Sequence, residues 1–271
     1  MVLAHDVVGA RDGRTAVIVH GILGSKSNWR SFAHKLHEAA PGWRIVTVDV
    51  RNHGESHGAL APHTIASCAD DVLATVPSFD LVIGHSFGGK IALELARRAA
   101  GNDQQLREAW ILDCPPGARS LAGSEVLRVL EAALAVPMPV TSRKDLVEAL
   151  RARGLSEPLA QWMTTNLRPL DGGGFTWRFA AAAIPQMLAS FAALDLWSVL
   201  EQTAGPRMVM VRGGRSDRFS AIDLSQLALL AASGCVVAHA LPSAGHWLHT
   251  DDPQGLLDLL APALHALAPG Q

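Results

Sequence analysis

Three scarcities narrow the classes of protein that this sequence can encode. The 271 residues carry 23 Lys and Arg against 25 Asp and Glu, and no stretch concentrates the basic residues, which argues against nucleic acid or an anionic membrane as partner. The most apolar stretch, residues 179–194, is interrupted by Pro185 and Gln186 and is shorter than the roughly 20 residues that span a bilayer. The N-terminus lacks a basic start followed by an apolar run, so we expect no signal peptide and a cytoplasmic protein.

Cysteine is also scarce, and its spacing excludes two kinds of structure. Cys68, Cys114 and Cys235 are scattered without a C-x-x-C pair. An odd number of unpaired cysteines favours free thiols in a reducing compartment over a disulfide framework. No cluster of His, Cys, Asp and Glu has the spacing of metal ligands, so we expect neither a metal nor another cofactor.

Short β-branched runs alternate with helical patterns over most of the chain. The predicted strands are 16–19, 44–50, 80–83, 109–112, 208–211 and 236–241, with a further edge strand at 5–8. The predicted helices between them are 29–39, 65–76, 87–100, 222–232 and 256–267. Apolar strands alternating with helices predict an α/β protein with a mostly parallel, doubly wound sheet covered on both faces.

The alternation stops between the strand at 109–112 and the strand at 208–211. Residues 115–204 show helical patterns only, broken by several prolines and by the glycines at 172–174. We therefore predict a core made of residues 1–114 and 205–271, and a helical cap made of residues 115–204. An insertion at the carboxyl end of a strand lies where α/β sheets bind ligands, so the cap is expected to cover the site.

The motif GHSFG at 84–88 lies between a predicted strand and a predicted helix. In that context G-x-S-x-G is typical of a nucleophile on a sharp turn, with Ser86 exposed at the top of the sheet. Small residues two before and two after the serine let strand and helix approach each other. The main alternative is a tight turn with only a structural role. We expect the backbone N–H of Phe87 and that of Ile22, with Leu23 as a substitute, to stabilise an oxyanion.

A serine nucleophile needs a base and an acid that orients it. Among 12 histidines, His246 is the candidate base because it follows the last predicted strand and precedes the last helix. Asp217 and Asp113 follow two predicted strands that would lie roughly 5 Å apart, so either carboxylate could reach the histidine. We prefer Asp217, because a G-x-x-D turn leaves its carboxylate free, whereas Asp113 stands where the chain leaves the sheet before Pro115.

These motifs, with the stretch DVRNHGES at 49–56, resemble the α/β-hydrolase superfamily over nearly the whole chain. Together with LDCPPG at 112–117 and GGFTWRF at 173–179, they resemble small intracellular carboxylesterases with a short helical cap. The resemblance implies an α/β-hydrolase fold with the cap inserted after the sixth core strand. Some relatives in that branch use an aspartate at the position of Asp113. GRSDRF at 214–219 resembles the acid turn of the meta-cleavage C–C bond hydrolases, which favours Asp217.

The expected function is hydrolysis of small-molecule carboxylic esters through an acyl-enzyme, by a monomer or homodimer. An apolar cap suggests small to medium apolar acyl groups, and the candidate substrate-binding residues are Leu23, Trp162, Trp177, Phe179, Met187 and Trp247. Haloalkane dehalogenases and epoxide hydrolases use an aspartate where Ser86 stands, and the absence of tyrosine excludes an epoxide-activating tyrosine pair. The alternatives are a C–C bond hydrolase, thioesterase or perhydrolase on the same triad, and a non-catalytic ligand receptor.

Overall fold

A computed structural model describes residues 1–10, 12–100, 105–202 and 204–267. Its strands are β1 His5–Val8, β2 Arg14–Val19, β3 Trp43–Val48, β4 Leu81–His85, β5 Glu108–Leu112, β6 Leu167–Pro169, β7 Phe175–Trp177, β8 Arg207–Gly213 and β9 Val237–Leu241. Within these residues, seven strands form one sheet in the order β1-β3-β2-β4-β5-β8-β9. The edge strand β1 runs antiparallel to β3, and every other pairing in this sheet is parallel.

Helices cover both faces of the sheet, as the continuous burial of the central strands requires. They are α1 Arg30–Ala39, α2 Ile65–Thr75, α3 Phe87–Ala99, α4 Glu125–Leu134, α5 Arg143–Arg151, α6 Glu157–Met163, α7 Ile184–Ala193, α8 Trp197–Leu200, α9 Ala221–Ala232, α10 Leu248–Asp251 and α11 Pro253–Leu267. Alternate residues of β2 face opposite layers: Val17 packs in the cluster with α2 and α3, and Ile18 packs in the cluster with α1 and α11. None of the described helices is long and apolar enough to cross a membrane.

The cap segment, residues 115–204, differs from its prediction in two details. It contains the short antiparallel hairpin β6–β7 as well as helices α4 to α8, so it is not all helical. Strands of three residues are too short to show an alternating pattern, and the glycines at 172–174 form the turn between them. In the described residues the cap segment follows the fifth strand rather than the sixth, because only β1 to β4 come before β5.

One buried lysine ties both ends of the cap segment to the helix behind the candidate nucleophile. Lys90, on the first turn of α3, has no exposed surface. Its ammonium donates to the carbonyl oxygens of Gly117 at 2.9 Å, Phe191 at 2.7 Å and Leu194 at 2.5 Å. Burial lowers the pKa of Lys90 to about 8, because the charged form is poorly solvated there. The three carbonyl groups therefore compensate a charge that water cannot reach.

Candidate active site

Ser86 lies on a strained turn between β4 and α3. Its φ of 53° and ψ of −116° are rare for a residue with a side chain, and such strain is typical of functional sites. The turn depends on two glycines, since a Cβ on Gly84 would lie 2.1 Å from the Gly88 carbonyl oxygen. A Cβ on Gly88 would lie 2.3 Å from the carbonyl oxygen of Val19. These contacts explain the two glycines of the motif and place Ser86 on the wall of a cavity at the carboxyl ends of the strands.

His246 meets Asp113, the carboxylate that follows β5. The His246 Nδ1 and Asp113 Oδ2 atoms are 2.7 Å apart. The same carboxylate accepts the backbone N–H of Gly213 at Oδ1, 3.0 Å away, and the Ser216 hydroxyl at Oδ2, 2.5 Å away. Asp113 is 1% exposed, so its charge is held by these three donors rather than by water. With Nδ1 donating to Asp113, Nε2 of His246 is free to accept a proton.

The structure does not bring Asp217 to His246, and the preference for Asp217 is wrong at the level of contact. The side chain of Asp217 is 93% exposed, and its Oδ1 lies 3.8 Å from Nε of Arg218. Two backbone features account for the difference. Asp113 adopts a positive φ of 46°, and its carboxylate lies against the ends of β8 and β9. In the loop after β8, it is the Ser216 side chain that turns inward to that carboxylate, which leaves Asp217 in solvent.

Two further buried histidines support the loop that carries His246. His85, the last residue of β4, donates from Nε2 to the carbonyl oxygen of His246 at 2.7 Å. Burial, with smaller effects from nearby histidines, lowers the pKa of His85 well below its usual value, so it stays neutral. His249 stacks on Trp29 with ring centroids 3.9 Å apart, and burial lowers its pKa to about 4. The sequence motif did show His85 beside Ser86, but nothing in the sequence indicated its partner.

The loop after β2, which holds the expected oxyanion donors, is positioned by His20 and His53. His20 accepts the Val50 N–H at Nε2, 3.0 Å away, and donates from Nδ1 to the Gly21 carbonyl at 2.7 Å. Nε2 of His53 accepts the N–H of Leu23 at 3.1 Å. Both bonds require neutral rings, and burial lowers the pKa of His20 to about 4 and that of His53 to about 3.

These hydrogen bonds show which of the candidate oxyanion donors already has an acceptor. The N–H of Leu23 is occupied by His53, so Leu23 cannot substitute for Ile22 as a donor. The N–H of Ile22 has no acceptor among the residues that the structure describes. Phe87 is the first residue of α3, where a backbone N–H has no acceptor within its own helix. The geometry therefore leaves the N–H groups of Ile22 and Phe87 without a competing acceptor in the described residues, and their role as oxyanion donors stays a prediction.

The stretch DVRNHGES is a scaffold for that loop. Asp49 accepts the backbone N–H groups of Lys26 at 2.7 Å and Glu55 at 2.8 Å. Position 54 requires glycine, because its φ is 55° and a Cβ there would lie 2.1 Å from the Asp49 carboxylate. The motif that carried the family resemblance thus acts on the site indirectly, by fixing the chain around His53.

A cavity of about 430 Å³ lies over Ser86 between the sheet and the cap segment. Of the predicted substrate-binding residues, Leu23, Trp162 and Trp247 line it. The others are corrected by the structure: Met187 is fully buried in the core, and Trp177 and Phe179 line a separate surface pocket against the cap segment. All three side chains are buried in the hydrophobic core cluster, and none of them lines the cavity over Ser86. No group of three or more His, Cys, Asp or Glu in the described residues is placed to hold a metal ion.

Comparison with known proteins agrees with this architecture. A model of the alpha/beta hydrolase family matches residues 16–259. The mouse protein described as sn-1-specific diacylglycerol lipase ABHD11 is 30% identical over 89% of this chain and 78% of its own length. Esterase YbfF of Escherichia coli strain K12 is 25% identical over 89% of each chain. A solved structure described as a marine microorganism esterase is similar with a TM-score of 0.82 and 22% identity, covering 96% of this chain and 98% of its own, which shows the shared fold.

This chain belongs to the alpha/beta hydrolase family. With relatives named as lipase and esterases, it is an esterase-type hydrolase, and the predicted family, fold and enzyme class are confirmed at that level.

Proposed function

We propose that the protein hydrolyses carboxylic esters through an acyl-enzyme formed on Ser86, with His246 as base and Asp113 as acid. The observation that carries the proposal is the 2.7 Å bond between His246 and Asp113, beside a strained serine on the wall of the same cavity. The acid assigned here is the alternative of the sequence analysis. Asp217 contacts neither Ser86 nor His246 by any hydrogen bond in the described residues.

The proposed reaction uses the groups that line the cavity and the bond between His246 and Asp113. His246 takes the Ser86 hydroxyl proton at Nε2 as Oγ attacks the ester carbonyl carbon, and Asp113 stabilises the resulting imidazolium. The N–H groups of Ile22 and Phe87 stabilise the negative oxygen of the tetrahedral intermediate. His246 then returns the proton to the departing alcohol oxygen as the carbon–oxygen bond breaks. Water attacks the acyl-enzyme by the same route, which releases the carboxylic acid and regenerates Ser86.

One part of the cavity wall is apolar and supports an apolar acyl group. Phe87, Leu188 and Phe191 line the cavity, and the rings of Phe87 and Phe191 stack with centroids 5.8 Å apart. Trp162 and Trp247 add a second aromatic pair, with centroids 4.9 Å apart. Apolar lining with a few placed polar groups is typical of small-molecule sites. Small to medium alkanoyl groups are the expected acyl part.

A fluorophosphonate probe and a chain-length series of p-nitrophenyl esters test the proposal together. Wild type should label covalently and hydrolyse the short esters, and Ser86→Ala should lose labelling and about 10⁴–10⁶ in kcat. Ser120→Ala is the matched control, because Ser120 lines the same cavity on an exposed loop and should keep both properties. Labelling that persists in Ser86→Ala would show that another residue is the nucleophile.

A further inference from the structure

Two arginines with low exposure, Arg119 and Arg218, line the cavity over Ser86 beside the exposed Arg128. Arg119 comes from the start of the cap segment, and Arg218 comes from the loop between β8 and α9. They are joined, since Nη1 of Arg119 donates to the main-chain carbonyl of Arg218 at 2.9 Å. Each side chain is 22% exposed, which is low for arginine at the edge of an open cavity.

The nearby carboxylates leave part of each guanidinium without a partner. Arg119 reaches Asp223 at 3.3 Å, but that carboxylate also accepts the N–H and hydroxyl of Ser220, each at 2.8 Å. Arg218 donates to the half-exposed Glu125 at 3.2 Å. In the described part of the chain, the buried Nε atoms of both arginines have no hydrogen-bond partner, and the carboxylate nearest to Nε of Arg218 is the exposed Asp217 at 3.8 Å. A buried donor without an acceptor is unfavourable, so an acceptor from a ligand would be stabilised here.

Arg218 and His246 line the same cavity and are connected through Ser216 and Asp113. The backbone N–H of Arg218 donates to the Ser216 hydroxyl at 3.3 Å, and that hydroxyl binds the same Asp113 oxygen as His246. His246 delivers the proton to the departing alcohol, so the alcohol must lie beside His246. The apolar pair Phe87 and Phe191 includes the residue directly after Ser86, whose N–H is the expected oxyanion donor.

We propose that Arg119 and Arg218 bind an anionic oxygen group, a carboxylate or a phosphate, on the alcohol part of the ester. The substrate class is then an alkanoyl ester of an alcohol that carries such an anion. The planar guanidinium suits both groups, because its N–H donors match the spacing of two oxygens. The proposal rests on ester hydrolysis at Ser86 and specifies its substrate.

Three butanoyl esters with similar aliphatic leaving groups test the charge preference of the wild type. They are propyl butanoate, the butanoyl ester of 3-hydroxypropanoate and the butanoyl ester of 3-hydroxypropyl phosphate. The hydrolysis of each is measured as the butanoate released. We expect kcat/KM for at least one anionic ester to exceed that of propyl butanoate by about tenfold or more, mainly through KM. The other anionic ester shows whether the site takes a carboxylate or a phosphate.

Variants then assign the preference to the two arginines. Arg119→Gln and Arg218→Gln should each lower the anionic-to-neutral ratio of kcat/KM by about tenfold or more, and Arg218→Lys should keep part of it. Arg128→Gln is the control: Arg128 lines the same cavity but is exposed, donates to the Gly123 carbonyl, and should leave the ratio unchanged. A general loss of folded enzyme lowers kcat/KM for both esters by the same factor, so it leaves their ratio unchanged.

The outcomes separate this proposal from the proposed function. If wild type hydrolyses none of the three esters, ester hydrolysis itself fails. If it hydrolyses propyl butanoate as efficiently as both anionic esters, or if Arg128→Gln removes the preference while the other two variants keep it, the arginine subsite is overturned and the ester hydrolase stands.

Discussion

Replacing Asp113 by asparagine is expected to lower kcat by about 10³–10⁴, which corresponds to about 4–5 kcal/mol of transition-state stabilisation. The carboxylate accepts three hydrogen bonds, from His246, Gly213 and Ser216. The amide introduced by Asp113→Asn would retain only one acceptor oxygen, and the Gly213 N–H takes the position at Oδ1. An NH₂ group would then face Nδ1 of His246 and force the ring proton onto Nε2. A histidine protonated at Nε2 has no lone pair there to accept the Ser86 proton.

Asp217→Asn is the matched change, and it should leave kcat within about threefold of wild type because the side chain is 93% exposed and touches only Arg218. Both variants are assayed on p-nitrophenyl butanoate, and thermal melting shows whether each is folded. Loss of activity in Asp217→Asn with activity kept in Asp113→Asn would refute the assignment. Losses of about tenfold in each single variant and a dead double variant would show that the two carboxylates substitute for each other.

Two further predictions concern stability. Burial lowers the pKa of His20 and His249 to about 4 and that of His53 to about 3. The unfolded chain binds protons at these positions from about pH 6.5 downwards and the folded chain does not. The free energy of unfolding should therefore be highest above pH 6.5 and fall by up to about 4 kcal/mol per pH unit towards pH 4.5. Equal urea midpoints at pH 7 and pH 5 would contradict this. Lys90→Met should destabilise the protein by about 3 kcal/mol and make the cap segment more sensitive to protease, because three carbonyl groups lose their donor. The control is Lys144→Met, at a side chain that is 83% exposed, and it should change neither stability nor protease sensitivity.

The sequence predicted the core of the fold closely because its signals are local. Buried β-branched runs define the parallel strands, and the observed strand β5 at Glu108–Leu112 differs by one residue from the predicted 109–112. The turn at Ser86 and the place of His246 on the same cavity were also predictable, since each depends on a short motif at a known end of a strand. The hairpin β6–β7 was missed because its strands have three residues each.

The acid could not be chosen from the sequence, because the choice depends on the directions of side chains rather than on their spacing. Asp113 and Asp217 follow neighbouring strands, and a positive φ at Asp113 together with the inward turn of Ser216 favours Asp113. Neither feature has a sequence signal. The packing roles of Met187 and Trp177 were hidden for a similar reason, since apolar composition does not tell which face of a cap element meets the cavity.

The proposed acid, Asp113 directly after β5, bears on how this enzyme can diversify. The loop from Asp217 to Phe219 carries no member of the proposed triad, yet Asp217 and Arg218 border the cavity. Substitutions there could alter which alcohols are accepted while proton transfer through Asp113 and His246 continues. A library randomised at 217–219 should therefore retain a large active fraction with varied selectivity, and a library at 112–114 should be mostly inactive.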